Sequence, residues 1–137
     1  MHSDENKKFM TYFIGEVINN KNLQAADDIV AEYFIEHIPF PGQGPRRDGL
    51  KTALQFMFTG FPDMKWTVLE QIAEGDNVVT RFSWTGTYQG EFMGIPPTGK
   101  SVEVWGVVRD VVRKILFVER RIIMDTVSLL QKLGVMP

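Results

Sequence analysis

Lys65-Trp66-Thr67-Val68-Leu69-Glu70-Gln71-Ile72-Ala73-Glu74-Gly75-Asp76-Asn77-Val78-Val79-Thr80-Arg81-Phe82-Ser83-Trp84-Thr85-Gly86-Thr87-Tyr88 is the stretch whose periodicity decides the fold. Val, Ile, Phe and Trp recur with a period of two, and Glu74-Gly75-Asp76 supplies a hairpin turn, so Lys65 to Ala73 and Asn77 to Tyr88 read as paired strands. Downstream, Ser101 to Val112 and Leu116 to Met124 carry the same signal. The connecting Gly90–Lys100 segment is punctuated by Gly and Pro, as a loop is, yet holds apolar residues such as Phe92; it is suited to wrap the sheet edge or cover a pocket.

Upstream of Lys65 the period changes. Phe9, Met10, Phe13, Ile14 and Val17 recur at spacings of three and four, which predicts a helix from Asn6 to Val17; Leu23, Ala26, Ile29, Val30 and Phe34 predict a second, from Leu23 to Phe34. Prolines 39, 41 and 45 stop any helix, because they lack the amide donor and fix φ. Asp48 is a plausible cap for a third helix holding Leu50, Leu54, Met57 and Phe58, and Thr126 to Leu133 forms a short last one, ended by Gly134. Helices followed by a run of antiparallel strands define the α+β class. A strongly curved, mostly antiparallel sheet packed on N-terminal helices makes a cone-shaped α+β barrel around a pocket, the usual place for a small ligand.

The 137 residues, 44% hydrophobic and 23% charged, suit one domain spanning 1–137. A formal charge of −2, with basic residues in small pairs rather than a stripe, speaks against nucleic acid. There is no cysteine, hence no disulfide and no thiolate metal site. Two histidines, His2 and His37, without a carboxylate cluster at ligand spacing, make a metal site improbable. The polar start of the chain lacks the pattern of a secretory signal and no run approaches a membrane span, which gives a cytoplasmic expectation.

His37-x-Pro39, Gly44, Phe61-Pro62-Asp63, Gly86-Thr87-Tyr88-x-Gly90-x-Phe92-x-Gly94-Ile95-Pro96-Pro97-Thr98-Gly99-Lys100, and Asp125-Thr126 with Leu129-Leu130-x-x-Leu133-Gly134 together resemble the SnoaL-like polyketide cyclases, from about residue 9 to the end. The resemblance implies a nuclear transport factor 2-like or ketosteroid isomerase-like fold, a homodimer or dimer-based oligomer, no cofactor, and an intramolecular aldol condensation that closes a ring of an apolar, polycyclic carbonyl substrate. It implies an aspartate acid/base just before the final helix, which falls on Asp125. The chain departs from the family's usual pattern in having Tyr88 in place of a His, no Trp near Arg121, and Val112-Arg113-Lys114-Ile115 in place of a glycine-led turn.

An aldol closure needs a base for an acidic C–H, a donor for the enolate and a shape that brings two carbons together. Asp125 in an apolar pocket would supply the base; its position before Thr126-Val127-Ser128 equally suits a helix N-cap. His37 is a second proton carrier, or else a structural histidine beside Pro39. Strand alternation groups Glu119, Arg121, Ile123 and Asp125 on one face; were that face to line the cavity, Arg121 would bind an anionic group, and otherwise it meets solvent. Tyr88, Trp66, Trp105 and Phe92 are the aromatic candidates for substrate contact, with core packing as the alternative. Isomerisation, dehydration or hydrolysis at one carboxylate, and a non-catalytic ligand-binding module, stay open, since this kind of fold hosts all of them.

Overall fold

The computed structural model describes residues 2–40, 42–92 and 94–134; Pro41 of the proline segment and Met93 of the Gly90–Lys100 loop lie outside the described residues, as do Met1 and 135–137. Helix α1, His2–Phe13, continues into a wider π-helical turn, Ile14–Asn19, followed by a 3-10 turn, Leu23–Ala25, and the short α2, Ala26–Ile29. Then come β1 (Val30–Glu36), α3 (Arg46–Gly60), β2 (Lys65–Glu74), β3 (Asn77–Thr87), β4 (Ser101–Arg113), β5 (Leu116–Met124) and α4 (Thr126–Leu133). The five strands form one curved, unclosed sheet in the order β1-β5-β4-β3-β2. All neighbours are antiparallel except β1 and β5. This is the α+β architecture expected, with β1 and β2 left as edges.

The expected helix from Leu23 to Phe34 is corrected: its second half is a strand. Val30, Tyr33, Phe34 and Ile35 are β-branched or aromatic, and from Val30 onward the backbone pairs with Phe117, Glu119 and Arg120 of β5. A partner some 85 residues away on the chain is invisible to local periodicity. The third helix begins at Arg46, with Pro45 at the cap and Asp48 inside the first turn, so the expected Asp48 cap is also corrected. At the first helix the chain is helical from His2, beyond the Asn6 expected.

Packing closes the cone from within. Phe13 of α1 and Phe34 of β1 meet Phe117 of β5 edge-on at 5.0 and 4.9 Å. At the far end Phe61 contacts Trp84, Tyr88 and Phe92 at 5.0, 5.4 and 5.7 Å. Gly60 and Gly90 let the Gly90–Lys100 loop dock there: the Gly60 carbonyl accepts from the amides of Gln89 and Gly90, and a Cβ at Gly90 would strike Thr59 O at 1.9 Å. Asp63 ties the α3–β2 turn to β3 by accepting from the Thr87 amide and hydroxyl, each at 2.7 Å. Those bonds hold its carboxyl below the ordinary range. Among the described residues no helix is long and apolar enough to cross a membrane.

Candidate active site

On β4 the residues Val102, Val104, Gly106, Val108 and Asp110 alternate inward, and all are buried. A lone carboxylate in that apolar stripe needs a partner. It has one directly across the ladder in Arg120, whose Nε donates to Asp110 Oδ1 at 2.8 Å and Nη2 to Oδ2 at 3.4 Å. The guanidinium is boxed by the rings of Phe117, Phe13 and Trp66 at 5.0, 5.5 and 5.9 Å. On the other side of Arg120 the ladder partner is Glu36 of β1. Three neighbouring strands thus carry a carboxyl–guanidinium–carboxyl row. Burial pushes Asp110 up, opposed by the charge and hydrogen bonds of Arg120. Burial likewise pushes Glu36 up, against Arg120 and the Ile38 amide, which donates to it at 3.4 Å.

Asp125 lies past the other end of β5. Its amide donates to Trp105 O at 3.0 Å, its Oδ1 accepts from the Ser128 amide at 3.1 Å, and it is half-buried. The N-cap reading of the sequence therefore holds in the geometry. Its Oδ2 has no hydrogen bond among the described residues. By backbone pairing Trp66 is level with Trp84 and Val104, the residue before the Trp105 that holds Asp125, while its ring lies against Arg120 at 5.9 Å. The π-helical turn places Asn19 against β2, where its side chain bonds both the amide and the carbonyl of Trp66 at 2.7 and 3.0 Å. Trp66 stacks on Phe82 at 3.8 Å, and its Nε1 is buried with no partner among the described residues.

The remaining sequence candidates scatter. His37 is not beside Asp125: its amide extends the β1–β5 ladder to Arg120 O, and its Nε2 lies 3.2 Å from Glu119 Oε1. Five residues of extended β5, about 16 Å, separate Arg120 from Asp125. Arg121 and Trp105 stand on the exposed outer face and not in the interior, Trp105 being 53% exposed. The face grouping of Glu119, Arg121 and Ile123 is right but points outward, and the neighbouring Arg120 is the arginine inside. Tyr88 is fully buried; its hydroxyl accepts from the Phe92 amide at 3.2 Å and lies against the carbonyls of Phe92 and Ile95, so it pins the loop. Phe92 is buried in the aromatic cluster around Phe61.

Sequence reasoning missed Asp110, Arg120 and Glu36. The signal for the first was present: one charge in the alternating stripe Val102-x-Val104-x-Gly106-x-Val108-x-Asp110-x-Val112. No group of three or more His, Cys, Asp or Glu among the described residues could hold a metal ion.

Comparison with known proteins bears on this arrangement. IdmH from Streptomyces antibioticus, a proposed polyketide cyclase, shares 32% identity over 94% of this chain and 98% of its own, with a TM-score of 0.82. TsrD from Streptomyces laurentii matches at 22% identity over 95% of each chain and a TM-score of 0.84. A proposed SnoaL-like cyclase from Jannaschia sp. CCS1 matches at 22% over 98% of this chain and 95% of its own, TM-score 0.85. The last two speak to the fold alone. No curated protein sequence matches. The model of the SnoaL-like polyketide cyclases matches residues 9–133, and the chain belongs to that family.

Proposed function

We propose that the chain is a cofactor-independent acid/base enzyme that closes a ring by intramolecular aldol condensation of an apolar, polyketide-like carbonyl substrate, with Asp125 as acid/base. Family membership and the 32% identity to IdmH support the reaction class. The observation that carries the assignment of the centre is the Asp125 carboxylate, half-buried with one oxygen uncommitted among the described residues; Trp66 Nε1, a buried donor without an acceptor among them, is the candidate donor from β2. A buried donor left unpaired is costly, and a substrate carbonyl would satisfy it. In this reading Asp125 takes the proton of an acidic C–H, and Trp66 donates to the oxygen on which the enolate charge develops. The enolate carbon attacks a second carbonyl of the same molecule, and the alkoxide so formed takes the proton back from Asp125.

Asp125→Asn keeps the capping oxygen and loses the proton carrier. Exchange of the acidic C–H of a bound ketone should fall by roughly two to four orders of magnitude. Stability should change by a few tenths to about 1 kcal/mol. Full exchange in the folded variant would sink the mechanism and leave the ligand-binding module. The outer sheet face carries Trp105, Ile123 and Ile72 at 53%, 63% and 65% exposure, and we assign it to a homodimer. Light scattering at micromolar concentration should give the dimer mass; a monomer would refute it.

A further inference from the structure

Beside the free edge of β1 lies a mostly apolar cleft of about 520 Å³. Residues 33–36 form one wall, and Pro39, Gly44, Pro45 and Arg46 form the other. Its size is that of a small-molecule pocket. Polar groups of opposite character mark its two ends. Glu36 is the only member of the Glu36–Arg120–Asp110 row that lines the cleft, and it is held there because Arg120 is already committed to Asp110. Arg46 closes the other wall with a left-handed backbone, φ 67°, that a residue with a Cβ adopts rarely. Its side chain is exposed and makes no ion pair or hydrogen bond among the described residues. The four residues of the β1 wall span about 10 Å, and Arg46 also lines an adjoining hollow with Glu32 and Tyr33, at the end of that wall away from Glu36.

We infer that this cleft is a second ligand site, separate from Asp125, which takes an elongated apolar keto acid with its carbonyl oxygen on the Glu36 carboxyl and its carboxylate on Arg46. Burial, which raises the Glu36 carboxyl against the pull of Arg120, favours the protonated form that donates to the carbonyl, and the Arg46 guanidinium pairs with the anion. The Arg46 side chain has no partner among the described residues, and Glu36 gives one oxygen to the Ile38 amide, leaving the other for a ligand. The apolar body replaces water along Tyr33, Phe34 and Ile35.

The probe is 4-oxo-4-(2-naphthyl)butanoate, together with its methyl ester, titrated into the full chain and followed by amide NMR. Shifts should localise to residues 33–36 and 43–46. Arg46→Gln should weaken the acid roughly tenfold and leave the ester unchanged. Glu36→Ala should weaken both, and Glu36→Gln, which keeps a donor, should restore both. Asp125→Asn should bind the probe in the cleft as the wild type does, whatever becomes of C–H exchange, so this site and the catalytic reading fail separately. Shifts confined to α4 and the end of β5, or equal loss of acid and ester in Arg46→Gln, would overturn the inference.

Discussion

At the closed end of the β4–β5 hairpin, Asp110 and Arg120 face each other across the ladder, 0% and 2% exposed, every charge answered by a partner and three rings. At its open end Asp125 is half-buried and bonds one amide through Oδ1, leaving Oδ2 without a hydrogen bond among the described residues. The same two strands therefore hold one ionic site that is satisfied by the fold and one that is not. A buried pair left whole contributes modestly, but breaking it strands a charge. Polar groups left unanswered at the other end are what a ligand can satisfy. The contrast teaches where to look for chemistry: at the incomplete end, with Glu36 as the one group of the closed end that reaches a cleft.

The largest expected effect lies at the open end, where Asp125→Asn should remove roughly two to four orders of magnitude of proton exchange with little loss of stability. At the closed end the expectation is inverted. Asp110→Asn should destabilise by about 3–5 kcal/mol in urea titration, because Arg120 is left buried without a counter-charge. A loss below about 1 kcal/mol would mean that Glu36 replaces Asp110 as the partner and that the closed end is not fixed as described.

Glu36 sharpens the comparison through pH. Burial raises its carboxyl above the ordinary glutamate value of 4.5, with Arg120 and His37 pulling it down and Asp110 pushing it up. The folded chain then binds more protons than the unfolded one between the ordinary and the raised values, so stability is full below that window and lost as pH rises through it. Asp110 acts in the same sense, and Asp63, held low by Thr87, in the opposite one. Glu36→Gln leaves Asp63 untouched and reaches Asp110 only through its coupling to Glu36, so the melting-temperature difference between the two proteins reports Glu36 together with that coupling. The wild type should lose ground to the variant as pH rises through the window, and a constant difference would contradict it.

The smallest effect belongs to the turn that sets the closed end. Lys114 and Ile115 both have positive φ, 53° and 60°, a conformation that crowds a Cβ, and a branched one most. Ile115 is 77% exposed, so little packing is lost on truncation. Ile115→Gly should stabilise by about 1 kcal/mol in the same urea titration. No gain would show that the strain is absent and that Arg120 is placed opposite Asp110 by the core alone.

Much of this was legible in the residues. The strands from Lys65 to Met124 fall within a residue or so of their expected bounds, since alternation is a local signal that the sheet preserves. The last helix, Thr126–Leu133, coincides with its expectation because cap and stop are both local: Asp125 bonds Ser128, and Gly134 turns left-handed at φ 84°. Asp125 and Trp66 could be singled out from the sequence as candidates, while the place of Arg121 stays open there between cavity and solvent. Alternation says which residues share a face, and cannot say which face is inside; a bulge between Val111 and Val112 further shifts the phase on β5.

What the sequence determined by itself was the α+β class, the four-strand run, the final helix and its cap, and the family resemblance, all of which rest on neighbours within a few residues or on motifs read in order. Only the tertiary structure decided that 30–36 is a strand, that Arg120 and not Arg121 enters the core, and that Glu36, Arg120 and Asp110 form one row. Each depends on a partner tens of residues away along the chain or on a second strand: β1 needs β5 to be a strand at all, and Asp110 can be buried only because Arg120 reaches it at 2.8 Å. Pairing across a sheet is a long-range choice, made by the burial of whole faces, and no local window of the chain contains it.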